Sequence, residues 1–213
     1  MTTAAWVLMA LAGVAALVDW WSVGTDRRPV EFVAKPAVMV LLVGAALTLD
    51  AGSEWVRWWF VGGLLLGLVG DVFLMLRRFV PGAAAFLVGH LAYIAGLVVI
   101  EHPWPAVLLG LVIVGADLWG PGRCIVRGAA ERSRVLGVLV AAYMLAIGAM
   151  VVLAVGSWST LAGLGALLFL ASDTLLAWGR FVGSAPGGRV LVHATYHVAQ
   201  ALLVLALPGL VAA

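Results

Sequence analysis

Long apolar stretches separated by short polar segments run along the whole chain. Eight can be read, at about residues 4–23, 34–50, 58–76, 82–100, 105–120, 135–155, 159–178 and 190–211. A helix needs about 20 apolar residues to cross a bilayer, and only the second and fifth stretches are shorter, at about 17. The pattern predicts an all-α integral membrane protein with about eight transmembrane helices.

The composition agrees with this pattern. Of the 213 residues, 65% are hydrophobic and 10% are charged, against roughly 25% charged in an ordinary soluble domain. The mean hydropathy is +1.17. These values exclude a water-soluble globule. Eight helices leave no room for a soluble domain, so we expect a single polytopic membrane domain over residues 1–213.

Charge and cysteine content exclude further classes. The formal net charge is +2, and the basic residues are eleven arginines and one lysine scattered between the apolar stretches. Such a distribution does not form a nucleic-acid surface. The single cysteine, Cys124, excludes an intramolecular disulfide framework and a cysteine-based zinc cluster. The sequence predicts no cofactor.

The basic residues also predict the orientation of the helices. All of them except Arg57 lie in the odd-numbered loops or open the helix that follows. Because cytoplasmic loops retain Lys and Arg, we expect odd loops in the cytoplasm and both termini outside. The first stretch lacks a basic segment before it and should remain as a helix. The preference for Arg over Lys, with abundant Ala, Gly and Val, indicates a GC-rich bacterial genome and hence the plasma membrane of a bacterium.

An internal repeat relates the two halves of the chain. Four features of the third and fourth helices return in the same order 102 or 103 residues later; the pairs are Asp71 and Asp173, Arg78-Phe79 and Arg180-Phe181, His90 and His193, and Tyr93 and Tyr196. This predicts two halves of four helices, about 1–103 and 104–213, in parallel about a pseudo-twofold axis. Asp71 and Asp173 would face each other across that axis.

Polar residues inside the predicted helices gather in the cytoplasmic half of the membrane. They are Asp19, Asp71, His90, Tyr93, Asp117, Asp173, His193, Tyr196, His197 and Gln200, with Lys35 predicted to open the second helix. A charge at membrane depth costs at least about 2.5 kcal/mol, so it normally faces a partner or a wet cavity. We therefore expect eight helices that enclose a polar cavity.

Asp71 and Asp173 are the leading candidates for chemistry. Two carboxylates in one pocket of low dielectric constant do not both ionise easily, so one should hold a proton near neutrality. This arrangement suits general acid catalysis, and it equally suits a proton-coupled transporter. In the alternative interpretation both are structural carboxylates that accept hydrogen bonds from Lys35 or a histidine.

The remaining polar residues leave two interpretations open. His193 and His197 stand four residues apart on one helix face, and with His90 they would suit a metal-dependent hydrolase; hydrogen bonding is the simpler role. Asp19 and Asp117 lie near helix ends, where solvation at the membrane interface would satisfy them. Most of the ten tryptophans, Trp20 among them, also fall at helix ends and are expected to form interfacial belts.

Several short motifs resemble those of a known membrane family. They are Lys35-Pro36, Gly70-Asp71-Val72-Phe73, Phe86 followed by His90 and Tyr93, Ser172-Asp173 with Phe181, and Thr195-Tyr196 followed by Ala199-Gln200. They extend from about residue 35 to 203 and resemble the YhhN-like lysoplasmalogenase family. His197 departs from the family pattern, in which an aromatic residue is more usual, and His193 is likewise not one of the family's motif positions.

The resemblance implies a reaction and its site. The family hydrolyses the vinyl ether bond of lysoplasmalogens to a fatty aldehyde and glycerophosphoethanolamine or glycerophosphocholine, so the expected partners are a lysophospholipid and the bilayer. The two family aspartates map onto Asp71 and Asp173. Vinyl ethers hydrolyse by protonation of the β-carbon and capture of the oxocarbenium ion by water, which one protonated and one ionised aspartate would promote. Further candidates for substrate contacts are Lys35, His90, Tyr93, Tyr196, Gln200, Asp19 and His197.

Overall fold

The computed structural model describes residues 1–212, and every regular element in this range is helical. The helices are α1 (Thr3–Gly24), α2 (Arg28–Thr48), α3 (Glu54–Met75), α4 (Phe79–Leu97), α5 (Trp104–Asp117), α6 (Arg123–Arg132), α7 (Arg134–Gly156), α8 (Thr160–Phe181) and α9 (Gly188–Ala206). Among these residues, eight segments are long and apolar enough to cross a membrane, with α5 and α6 forming one of them. The predicted fold class is confirmed.

The fifth helical span continues beyond residue 120, where the sequence predicted its end. Residues Leu118–Gly122 form one π-helical turn that contains Pro121, and α6 continues from there to Arg132. Proline has no amide hydrogen to donate and normally ends a helix. A wider π turn accommodates the missing hydrogen bond, so the chain stays helical through the proline.

The second helix begins earlier than the apolar pattern indicated. It starts at Arg28, six residues before the predicted boundary, and Pro29 lies in its first turn, where the fixed proline φ angle favours a helix. Lys35 therefore does not open α2, which corrects the sequence prediction. It lies about 10 Å along the helix axis from Arg28, at a depth where its ammonium group needs a partner.

The helices pack as neighbouring pairs. In the first half α1 packs on α2 and α3 on α4, and in the second half α5 packs on α7 and α8 on α9. The halves meet where α4 contacts α7 and where α9 contacts α1 and α2. The α4–α7 and α2–α9 contacts are at corresponding positions in the predicted repeat. These contacts agree with two parallel halves; the division at about residue 103 remains a prediction.

Glycines allow α3 and α4 to approach closely beside the polar interior. A Cβ atom added at Gly63 would lie 2.6 Å from the ring of Tyr93, and one added at Gly70 would lie 2.5 Å from the ring of Phe86. Real Cβ atoms do not come so near to other atoms, so side chains at these positions would separate the helices. Gly70, the residue before Asp71, thus packs directly against Phe86 of α4.

The outer surface is apolar, as lipid contact requires. Exposed side chains include many Val and Leu residues and the tryptophans at helix ends, such as Trp104 and Trp119. Trp20 departs from the predicted interfacial belt, because its indole Nε1 donates a hydrogen bond to His197 Nδ1 at 3.1 Å inside the bundle.

Candidate functional site

A polar cavity of about 170 Å³ lies between α2, α3, α8 and α9, with Phe86 of α4 on its wall. It extends to the end of the bundle at which α2 and α9 begin, because Arg28 and Arg189 also line it. Its polar lining residues are Arg28, Glu31, Lys35, Asp71, Ser172, Asp173, Arg189, His193 and Tyr196. The two predicted aspartates therefore line one cavity.

Asp71 is held by an ion pair at the inner part of this cavity. Lys35 Nζ of α2 lies 2.9 Å from Asp71 Oδ1 of α3, and the two side chains are 8% and 1% exposed. The ammonium group of Lys35 attracts the ionised carboxylate and so opposes the cost of burying that charge. The second oxygen, Oδ2, is buried and has no hydrogen-bond partner among residues 1–212. Asp71 is therefore a carboxylate with one acceptor oxygen left.

Asp173 has a different environment from Asp71. Tyr143 of α7 donates a hydrogen bond to Asp173 Oδ2 at 2.5 Å, and His90 Nε2 of α4 lies 3.6 Å from the same oxygen. In the part of the chain that the structure describes, no Lys or Arg forms an ion pair with Asp173. The aromatic rings of Tyr143 and Phe169 enclose His90, with centroids 5.2 and 4.8 Å away. The partner of Asp173 is thus the phenol group of Tyr143, whereas the partner of Asp71 is the ammonium group of Lys35.

An apolar cleft of about 50 Å³ adjoins the polar cavity. Side chains of α4, α6, α7 and α8 line it, including Phe79, Ile125, Leu139, Ile147 and Phe181. Leu74, Phe86, Asp173 and Leu176 line both spaces. The carboxyl group of Asp173 therefore lies at the boundary between a polar space and an apolar one.

Asp19 is not solvated at the membrane interface, which corrects the sequence interpretation. It is fully buried, and its Oδ2 lies 2.7 Å from His193 Nδ1 of α9. His197 Nδ1 lies farther from the same oxygen, at 3.8 Å, and accepts the hydrogen bond of Trp20 instead. Asp19 and His193 form a buried pair between α1 and α9.

The other predicted contact residues lie at different places around the cavity. Tyr196 lines it, with its ring 5.4 Å from Lys35 Nζ. Tyr93 and Gln200 lie outside its lining and bond to each other, with the Tyr93 hydroxyl donating to Gln200 Oε1 at 2.6 Å. His197 lines a separate apolar groove between α1, α2 and α9. The structure thus places Lys35, Asp71, Asp173 and Tyr196 at one cavity, with His90 behind Asp173.

An ion-pair cluster lies at the mouth of the cavity. Arg189, at the start of α9, reaches Glu31 Oε1 at 2.5 Å and Asp26 Oδ1 at 3.9 Å. Arg28 lies on the same rim. The mouth therefore offers positive charges together with one buried carboxylate, Glu31.

The histidines do not gather into one cluster. His90 packs between α7 and α8, whereas His193 and His197 lie near Asp19. Within residues 1–212 no group of three His, Cys, Asp or Glu side chains has a geometry that would hold a metal ion.

The sequence pattern does not identify two residues of the site, Tyr143 and Glu31. Tyr143 is one of only three tyrosines, a lone hydroxyl in an apolar helix, but the repeat gives it no counterpart because Leu41 stands 102 residues earlier. Glu31 was hidden by the late predicted start of α2. The signal for Tyr143 in the sequence is its position as the one hydroxyl group within an apolar helix.

The fold and the site define a class of protein: an eight-span membrane protein whose interior holds an ion-paired aspartate and a second aspartate beside an apolar cleft. The sequence profile of the YhhN family matches residues 30–207, and the chain belongs to this family.

Similar proteins with assigned names agree with this placement. Human lysoplasmalogenase TMEM86B is 37% identical over 145 residues, which are 68% of this chain and 61% of that protein. The mouse protein of the same name is 35% identical over 179 residues, 81% of this chain and 74% of that protein. A lysoplasmalogenase of Mycobacterium bovis is 29% identical over 189 residues, 84% of this chain and 70% of that protein. The chain thus spans less than two thirds of the human relative. No solved structure matches it significantly.

The ion pair predicts a specific pattern of stability. Lys35→Met leaves the Asp71 carboxylate buried without its cation and should lower the free energy of unfolding by about 3 kcal/mol. The double variant Lys35→Met/Asp71→Asn removes both charges and should recover most of that loss. Thermal unfolding in detergent checks both variants, with Glu54→Gln in an exposed pair as control. Equal losses in the single and double variants would contradict the ion-pair account.

Proposed function

We propose that this protein hydrolyses the vinyl ether bond of lysoplasmalogens, giving a fatty aldehyde and a glycerophospho-ethanolamine or -choline. The family supports this reaction, and so do the names of the relatives. The observation that carries the proposal is the position of Asp173, where the polar cavity and the apolar cleft adjoin. A lysoplasmalogen has the same division, with its vinyl ether between a polar headgroup and an apolar chain.

The two spaces suggest how the substrate lies. The alkenyl chain enters the apolar cleft between α4, α7 and α8, and the glycerophospho group occupies the polar cavity. The phosphate is near the cationic side chains of Arg28, Lys35 and Arg189, whose charge-assisted hydrogen bonds suit it. This places the vinyl ether carbons beside the carboxyl group of Asp173.

The partners of the two aspartates support a division of labour. Asp71, paired with Lys35, remains the anion that stabilises the oxocarbenium ion. Asp173, buried with a phenol and without a basic ion-pair partner in residues 1–212, carries the proton that is delivered to the β-carbon. The hydrogen bond from Tyr143 steadies the Asp173 carboxylate that remains after transfer. His90 lies near enough to help in orienting this carboxyl group.

The proposed location is the plasma membrane of a bacterium, with odd-numbered loops in the cytoplasm. Ten of the twelve basic residues, all except Arg57 and the buried Lys35, support this orientation. In this orientation the cavity mouth at Arg28 and Arg189 faces the cytoplasm. A lysophospholipid in the inner leaflet would reach the site with its headgroup toward the mouth.

Purified protein should release aldehyde from lysoplasmenylethanolamine and none from the saturated 1-alkyl analogue, because only a vinyl ether can be protonated at carbon. Asp173→Asn and Asp71→Asn should each lower turnover by roughly 1,000-fold, in the range of general acid catalysis. Asp50→Asn, at an exposed carboxylate, should keep normal turnover. Normal turnover by either site variant would contradict the proposed roles.

The orientation can be tested with the native cysteine, since Cys124 is exposed on α6. A membrane-impermeant maleimide should label it in inverted vesicles and leave it unlabelled in intact cells. In a Cys124→Ser background, Glu101→Cys in the even-numbered loop should show the opposite pattern. Labelling of Cys124 in intact cells would reverse the proposed topology.

A further inference from the structure

The buried pair of Asp19 and His193 resembles the orienting half of a catalytic triad. Asp19 is fully buried, with 0% of its surface accessible to solvent. Its Oδ2 lies 2.7 Å from His193 Nδ1. An ionised carboxylate can only accept a hydrogen bond, so His193 carries its proton on Nδ1. The lone pair of His193 is then on Nε2, the nitrogen that a general base uses.

His193 also lines the cavity that contains the two aspartates of the proposed reaction, Asp71 and Asp173. Of its side chain, 8% is accessible. The cavity, at about 170 Å³, has room for water beside a bound ligand. A water molecule between His193 and the vinyl ether would contact the base on one side and the electrophilic carbon on the other.

Among residues 1–212, the counterparts of Asp19 and His193 in the other half of the chain do not pair with each other. Asp117 and Trp119 of the second half resemble Asp19 and Trp21 of the first. Asp117, however, accepts a hydrogen bond from Thr174 instead of pairing with a histidine. His90 corresponds to His193, but it lies near Asp173. Among residues 1–212, a histidine within hydrogen-bonding distance of an aspartate occurs at Asp19 alone, since His90 Nε2 lies 3.6 Å from Asp173.

We infer that His193, positioned by Asp19, is the general base for the water that completes vinyl ether hydrolysis. The inference rests on the proposed function and deepens it. Asp173 protonates the β-carbon, and as water attacks the α-carbon it gives a proton to His193 Nε2, forming a hemiacetal. The hemiacetal hydroxyl then returns a proton to Asp173 while the carbon–oxygen bond to glycerol breaks. The imidazolium of His193 protonates the leaving glycerol oxygen, which restores both groups.

Loss of the base should separate protonation from water capture. In His193→Gln the oxocarbenium ion is captured slowly and returns its proton to Asp173 instead. In D₂O the recovered lysoplasmenylethanolamine should therefore gain deuterium at the vinyl β-carbon, while aldehyde release falls by about 100-fold. Glutamine keeps a donor toward Asp19, which preserves the fold. Asp19→Asn should have the same effect, because its amide can donate to Nδ1 and move the histidine proton to Nε2.

Matched controls separate this role from loss of structure. His102→Gln and Asp117→Asn change the same residue types outside the cavity lining and should show wild-type turnover without exchange. Asp173→Asn should show neither turnover nor exchange, because protonation itself fails. Unfolding temperature in detergent should match the wild type for every variant.

The possible results distinguish the two proposals. Wild-type turnover by His193→Gln, or loss of turnover without deuterium in the recovered substrate, would overturn the role of His193 and leave the proposed function intact. Absence of aldehyde from the wild-type protein would overturn both. Slow turnover with deuterium exchange in His193→Gln and Asp19→Asn, and in none of the control variants, would establish His193 as the general base.

Discussion

A carboxylate inside a bilayer must meet a cation, a hydrogen-bond donor or water, and this constraint organises the interior of the protein. The four aspartates within the spans each have a different partner: Lys35 for Asp71, Tyr143 for Asp173, His193 for Asp19 and Thr174 for Asp117. Two of these contacts, Asp19 with His193 and Asp117 with Thr174, join helices that are not consecutive in the chain. Polar pairing therefore fixes which helices surround the cavity, and apolar packing completes the bundle around them.

The repeat supplies two similar acids, and their different neighbours give them different chemistry. The second span of one half contributes the ammonium group of Lys35, whereas the second span of the other contributes the phenol of Tyr143. The ammonium group of Lys35 balances the negative charge of Asp71, whereas Asp173 has no basic ion-pair partner in residues 1–212. A symmetric pair would share one proton between equal sites. The different neighbours support the proposal that the proton is on the aspartate at the apolar cleft, where a vinyl ether would lie.

Much of this arrangement is predictable from the sequence. Apolar stretches of membrane length predict the eight spans, and the repeat of Asp71 at Asp173 predicts two carboxylates at one depth. Tyr143 escapes prediction because its repeat position is Leu41. Asp19 was misjudged because distance from a helix end does not reveal that α9 covers it with His193. The start of α2 was misplaced because Arg28 and Glu31 resemble a loop, although Glu31 is buried against Arg189. The membrane depth of a polar residue can be counted along its own helix. Its contact partners depend on how the helices pack against one another.

The central claim is that Asp173 holds the catalytic proton while Asp71 remains ionised beside Lys35. Infrared difference spectroscopy of the protein in lipid at neutral pH tests it directly, because only a protonated carboxyl group has a carbonyl stretching band above the carboxylate region. The account predicts a band that disappears in Asp173→Asn and persists in Asp71→Asn. Disappearance of that band in Asp71→Asn, with no change in Asp173→Asn, would contradict it.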